Sequence, residues 1–295
     1  MTTELTLPEG WSPYAVAGDS TGTLWLTILA PPGLAHLTPG EPGDPWIEPL
    51  PQGQPMLLSI AGDVVWFTRT DDKLVRREAG GEQTVFKVPE GTGPYGIAAT
   101  ATGDVWFTAP GTNQLGRRAA DGTITMFDLP MPEARPAMIT CDAEGTPWAA
   151  LNGAGALARV RDETVEIIKL PDGRTPPAPV GIIASAGGIW YTDIAGGSVG
   201  RVEQSGAVRQ YPFADPACRP HAVAAASDGS CWASLWGSDQ LAHVTTDGRI
   251  TLHELPGREP HGLWVSPAEV WVAMESGSLV AVEATSGNAG DPSRP

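Results

Sequence analysis

A tryptophan returns about every forty residues along this chain, at Trp25, Trp66, Trp106, Trp148, Trp190, Trp232 and Trp271, and a period of that size marks a repeat architecture. Each copy sits in a short apolar run such as VVWFT, DVWFT or GIWYT. Seven such copies are satisfied most simply by a seven-bladed β-propeller, an all-β ring of four-stranded antiparallel blades. A ring of this kind sets equivalent positions of successive blades side by side around one axis. Residues distant in sequence can therefore be placed relative to one another from the repeat alone.

The unit reads strand by strand. Its clearest copy opens on GPYGIAAT (93–100), turns through ATGD (101–104) and returns through VWFT (105–108). It continues through NQLGRR (113–118) and closes on TITMFDLP (123–130). The chain's 36 glycines and 29 prolines suit this design, because glycine supplies the positive φ of tight turns and proline ends strand pairing. The opening prolines are Pro13, Pro55, Pro94, Pro136, Pro179, Pro220 and Pro260, each eleven or twelve residues before its tryptophan. The last unit has no closing strand after LVAV (279–282), whereas an extra copy, ELTLP (4–8), stands at the front. The N-terminal strand is therefore predicted to complete the last blade and close the ring, which removes two exposed edges. Residues 1–284 form one domain on this reading, and the tail 285–295 is expected to be disordered.

A formal net charge of −16 argues against a nucleic-acid partner or an anionic membrane surface. The N-terminus, MTTELTLPEGW, has no basic stretch followed by an apolar one, and no segment is long and apolar enough to span a bilayer. The three cysteines, Cys141, Cys218 and Cys231, are odd in number and lack metal-finger spacing. These features lead to the expectation of a cytoplasmic protein.

Chemistry is to be sought where equivalent positions differ. The seven blade tryptophans read as inter-sheet packing; Trp11, Trp46, Trp236 and Trp264 break the pattern. The residues after the opening prolines are Tyr14, Met56, Tyr95, Ala137, Val180, His221 and His261, so two of the chain's five histidines share one class. His36, His243 and His253 read as surface residues. The residues before the prolines are Ser12, Gln54, Gly93, Arg135, Ala178, Arg219 and Glu259, and only the last blade offers a carboxylate. In an extended segment residues i and i+2 face the same way, which would project Glu259 with His261 and Arg219 with His221. Folding the last hairpin about Ser266-Pro267-Ala268 brings Glu275 opposite Pro260, and the same folding of the sixth blade brings Trp236 near His221. Tyr14 stands at the matching position of the first blade. Two carboxylates, two imidazoles and two aromatics thus meet on three neighbouring blades.

Two carboxylates suit a hard cation such as Mg²⁺ that keeps waters for exchange with substrate, and a neutral imidazole beside them is a candidate general base. The set suits proton abstraction next to a carbonyl followed by elimination. It also suits metal-assisted hydrolysis by a lactonase-like enzyme, and a propeller mouth of this kind can hold a peptide without any chemistry.

These residues resemble the virginiamycin B (streptogramin B) lyase family. The resemblance spans nearly the whole chain and rests on GPYGI (93–97), the repeated WFT, RPHAV (219–223), LWGSDQL (235–241) and EPHG (259–262), followed by Glu275. The first two units, SPYAV and QPMLL, depart from the GPYGI form, and WFT weakens to WAA at Trp148 and WAS at Trp232. The resemblance implies a monomeric propeller that opens cyclic depsipeptide antibiotics at the threonyl ester by elimination. It implies His261 as general base, Glu259 and Glu275 as Mg²⁺ ligands, and His221, Tyr14 and Trp236 as contacts to the antibiotic.

Overall fold

The structure, a computed structural model, describes residues 2–41, 45–173 and 175–284; the tail 285–295 lies outside the described residues. Twenty-eight strands form seven four-stranded antiparallel sheets, as the repeat requires. Blade 1 runs through Pro13–Gly18, Leu24–Ile28, Gly33–Leu37 and Trp46–Pro49. Blade 6 runs through Pro220–Ala225, Cys231–Leu235, Gln240–Val244 and Ile250–Glu254. Blade 7 takes Pro260–Val265, Glu269–Met274 and Ser278–Glu283 from the end of the chain and Thr2–Thr6 from its start. The closing strand pairs from Thr2↔Val282 to Thr6↔Ser278, so the edge left by the last hairpin is covered. The innermost strands touch their neighbours all the way round, first blade against seventh included.

The seven blade tryptophans are buried, as packing residues should be. The third strand explains its own sequence signature at this point. Trp66, Trp106, Trp148 and Trp190 pair across the sheet with Arg76, Arg117, Arg159 and Arg201, whose guanidinium carbons lie 5.1–5.9 Å from the ring centroids. Each is a cation–π contact that covers the outer face of an indole. In blade 6 the partner is a histidine, and the ring of His243 stacks on Trp232 at 4.4 Å. His243 is thus buried rather than on the surface, held by a 2.8 Å hydrogen bond to Ser230 Oγ; His36 and His253 are half-buried.

The residue two places after each blade tryptophan ties adjacent blades together. The hydroxyls of Thr27, Thr68, Thr108, Thr192 and Ser234 donate to the carbonyls of Met56, Tyr95, Ala137, His221 and His261 in the next blade, at 2.6–2.7 Å. Each also accepts a backbone N–H from its own innermost strand, at 2.7–3.2 Å. A proline opens that strand and has no N–H to give, so pairing slips just after it, with a register shift at Pro13, Pro55, Pro136, Pro179, Pro220 and Pro260. The threonine hydroxyl takes the donor that the slip leaves over. In blade 3 the irregularity is longer and only Ile97–Ala99 is strand. Blades 4 and 7 carry Ala150 and Ala273 at the hydroxyl position and lack this link. At the ring's closing seam Gly262 does part of that work, since a Cβ there would stand 2.8 Å from the Tyr14 carbonyl oxygen.

Candidate functional site

The bulge after each opening proline turns the following side chain toward the axis. Tyr14, His221 and His261, from blades 1, 6 and 7, form one buried cluster there. The rings of His221 and His261 meet edge to face, with centroids 4.7 Å apart. Tyr14 lies 4.6 Å from His261 and 6.2 Å from His221. Trp236 approaches His261 to 6.2 Å. Glu275 completes the group, its Oε2 lying 2.6 Å from His261 Nε2. Five of the six residues singled out in the sequence therefore stand in one cluster of ring contacts and hydrogen bonds.

Glu259 reaches the same place by another route. It is not extended: its φ is 57, in the left-handed region, and the strand slips at Pro260. The i, i+2 alternation used to pair it with His261 does not hold, nor does it for Arg219, with φ 49. Arg219 instead lays its guanidinium over the Trp236 ring at 5.2 Å. Glu259 is exposed, and its carboxylate is close enough to His261 to favour the imidazolium. Its carbonyl accepts the Glu275 N–H at 3.1 Å, so the two glutamates are tied main chain to main chain. The hairpin register places Pro260 opposite Met274, one residue from the predicted partner.

Burial sets the charge states. The His221 imidazole loses hydration, and His261 beside it repels a second positive charge; its pKa falls from 6.5 to about 3. Burial also lowers His261, against the pull of Glu275 and Glu259. Both rings are neutral near pH 7. In that state the hydrogen bond to Glu275 places a proton on His261 Nε2, because an ionised carboxylate only accepts. Nδ1 of His261 and of His221 are enclosed and have no partner.

Tyr95, in the same equivalence class as Tyr14, was not singled out in the sequence. Its hydroxyl shares a 2.6 Å hydrogen bond with that of Tyr14, reaching past blade 2 from blade 3. Burial raises both phenols above their ordinary pKa, so the pair is neutral. The class itself was the available signal: it holds three aromatic or imidazole pairs' worth of neighbours on an axis otherwise lined by Met56, Ala137 and Val180.

A metal fits this site only in one way. Among the described residues no group of three or more His, Cys, Asp or Glu side chains is placed to hold an ion. A zinc cage of three or four protein ligands is therefore not the chemistry of this mouth. Glu259 and Glu275 provide two hard oxygen donors, which suits Mg²⁺ with water and ligand atoms completing its shell.

Comparison with known proteins agrees with this architecture and motif set. The family model described as the virginiamycin B lyase family matches residues 1–282. A virginiamycin B lyase of Nocardia farcinica is 38% identical over 273 residues, covering 92% of this chain and 95% of that protein. The crystal structure of a selenomethionine-substituted virginiamycin B lyase from Staphylococcus aureus superposes with a TM-score of 0.89 at 27% identity, covering 97% of this chain and 99% of the other. A catalytically inactive histidine-to-alanine variant of the Staphylococcus aureus enzyme with quinupristin gives the same TM-score, 0.89, at 26% identity, again over 97% of this chain and 99% of the other. With a whole-chain family match and a relative of this identity, the chain belongs to the virginiamycin B lyase family.

Proposed function

We propose that this protein is a carbon–oxygen lyase that linearises streptogramin B type cyclic depsipeptides at the threonyl ester, acting as a cytoplasmic monomer with Mg²⁺. The observation that carries the reading is the neutral His261 imidazole, enclosed by Tyr14, His221 and Trp236 and held by Glu275 at 2.6 Å. A base of this kind at the mouth suits removal of a weakly acidic proton from a bound ester.

In the proposed step His261 takes the α-proton of the threonyl residue. The freed electron pair becomes the Cα–Cβ double bond as the Cβ–O bond breaks, and the acyl group leaves as a carboxylate. No water is added, and the proton ends on the imidazole. Nδ1 of His261 is sealed and partnerless, so the proton is taken at Nε2, the edge that Glu275 now occupies. Glu275 must release that nitrogen first, and a carboxylate engaged elsewhere does so. Mg²⁺ held by Glu259 and Glu275 would supply a Lewis acid for the substrate's carbonyl oxygens. A positioned base contributes roughly 10²–10⁴-fold, so stabilisation of the developing negative charge has to provide much of the remainder. His221 stays neutral and serves as a polar contact rather than a second acid, while Tyr14 and Trp236 offer faces to the apolar side chains of the ligand.

The test is the mass of the product. Purified protein, Mg²⁺ and a streptogramin B should give a linear product of unchanged mass; a product heavier by one water means hydrolysis and refutes the elimination. His261→Ala should fold normally and lose turnover, and an active variant removes His261 from the role.

A further inference from the structure

One residue of the LWGSDQL motif has no part in the reaction as described. Asp239 ends the loop before the third strand of blade 6, and its Oδ1 accepts the backbone N–H of Glu259 at 2.8 Å across the seam between blades 6 and 7. Glu259 is where the backbone is least ordinary. A residue before proline is steered toward extended conformations, and the left-handed region is unfavourable for any residue with a bulky side chain. Glu259 nonetheless has φ 57 directly before Pro260.

The repeat supplies the comparison. At the same loop position before the third strand of blade 2, Asp72 accepts the N–H of Gly93 at 2.8 Å, and Gly93 has φ 50. There the left-handed residue is a glycine, which adopts that conformation freely. Blade 7 keeps the device and places a glutamate on it. Strain of this sort persists only where the surroundings fix it, and Glu259 is fixed on both sides. Asp239 holds its N–H, and the Glu275 N–H holds its carbonyl at 3.1 Å. The preceding N–H, of Arg258, is held by Ser276 Oγ at 2.9 Å. Asp239 is itself anchored, its carbonyl accepting the Leu255 N–H at 3.1 Å.

We propose that Asp239 is a positioning residue for the cation site: its carboxylate locks Glu259 in the left-handed conformation that keeps the Glu259 and Glu275 carboxylates together. This rests on the reading of those two glutamates as the Mg²⁺ ligands. Asp239 neither touches substrate nor binds the ion. Its effect is that of an outer partner which orients a ligand, the kind whose loss typically weakens metal binding 10–100-fold.

The experiment compares Asp239→Gly, Asp239→Asn and Glu259→Gln with the wild-type chain, titrating each with MgCl₂ by calorimetry and solving the structure of Asp239→Gly. Asp239 has φ 54, so glycine deletes the carboxylate without adding strain. Asparagine keeps an acceptor oxygen, as Asn113 does before the third strand of blade 3, where its Oδ1 accepts the Ala134 N–H at 2.7 Å. Glu259→Gln and Asp239→Gly should each weaken Mg²⁺ binding by about tenfold or more, and Asp239→Asn should stay within about twofold of wild type. In the Asp239→Gly structure residue 259 should have left the left-handed region. If Glu259→Gln weakens binding and Asp239→Gly does not, Asp239 has no such role, while the cation site stands. If Asp239→Asn is as weak as Asp239→Gly, the hydrogen bond is not the cause and the inference fails. If the wild type binds no Mg²⁺, the cation reading fails, and the Asp239→Gly structure alone decides the lock: an unchanged φ at residue 259 overturns it. Should Asp239→Gly not fold, Asp239→Ser, whose shorter side chain cannot span the seam, replaces it in both measurements.

Discussion

Replacing Ser234 by alanine should reveal how tightly the ring's seams hold the catalytic backbone. The Ser234 hydroxyl donates to the His261 carbonyl at 2.7 Å and accepts the Ala222 N–H at 3.0 Å, and all of these groups are buried. Removing it leaves one N–H and one C=O in a dry wall, each costing about 1–3 kcal/mol. Alanine already occupies the equivalent positions 150 and 273, so the ring tolerates the vacancy, and the low end of the sum, about 2 kcal/mol, is the expected loss. Urea denaturation measures that figure. Thr108→Val removes the same pair of bonds, to Gly96 and Ala137, at a seam away from the imidazoles, and should cost a similar amount. Turnover distinguishes the two variants. Ser234→Ala frees the backbone that carries His261 and should lower kcat/KM by about tenfold or more, since a displacement on the order of 1 Å at a reacting group can cost up to 10²-fold. Thr108→Val should stay near wild type. Equal losses of activity in both, or none in Ser234→Ala, would refute the argument that the seam hydroxyl positions the base.

Two further outcomes follow from the same geometry. His221 has a folded pKa near 3 against an ordinary 6.5, so below 6.5 the unfolded chain takes up a proton that the folded one refuses. Its contribution is intact above pH 6.5 and is lost as the pH falls toward 3, at about 1.4 kcal/mol per unit, or roughly 2 kcal/mol by pH 5. Denaturation at pH 8, 6.5 and 5 should show a flatter profile for His221→Gln than for the wild type, and an identical slope would count against a buried neutral imidazole. Deleting residues 2–6 should lower Tm and promote association, because it bares the Ser278–Glu283 strand that Thr2–Thr6 now covers; an unchanged Tm in a monomeric truncation would argue against ring closure by this strand.

The location of the site was legible because the repeat supplied an angular coordinate. His221, His261 and Tyr14 could be recognised as neighbours from their shared place after an opening proline, and the structure brings their rings within 6.2 Å. Trp236 and Glu275 followed from folding a hairpin about its turn. Alternation failed where the backbone left the extended region. Glu259 and Arg219 precede prolines in a left-handed conformation, and nothing in the local sequence announces that choice for a residue other than glycine. The role of the WFT threonine was also hidden. Its recurrence was evident, but its hydrogen-bond partner lies some 29 residues further on, in the next blade. Tyr95 was overlooked for a similar reason, since its partner Tyr14 is 81 residues away and across the axis.

Period, turn chemistry and strand alternation are local properties, and they determined by themselves that this chain closes into seven blades with its first strand in the last. Which atoms meet at the axis was decided only by tertiary structure. Slipped registers after the prolines, left-handed residues held by groups from another blade, and the exclusion of water that keeps two touching imidazoles neutral all arise from neighbours distant in sequence. Hydrogen-bond partners and desolvation are properties of the assembled ring, and no single repeat contains them.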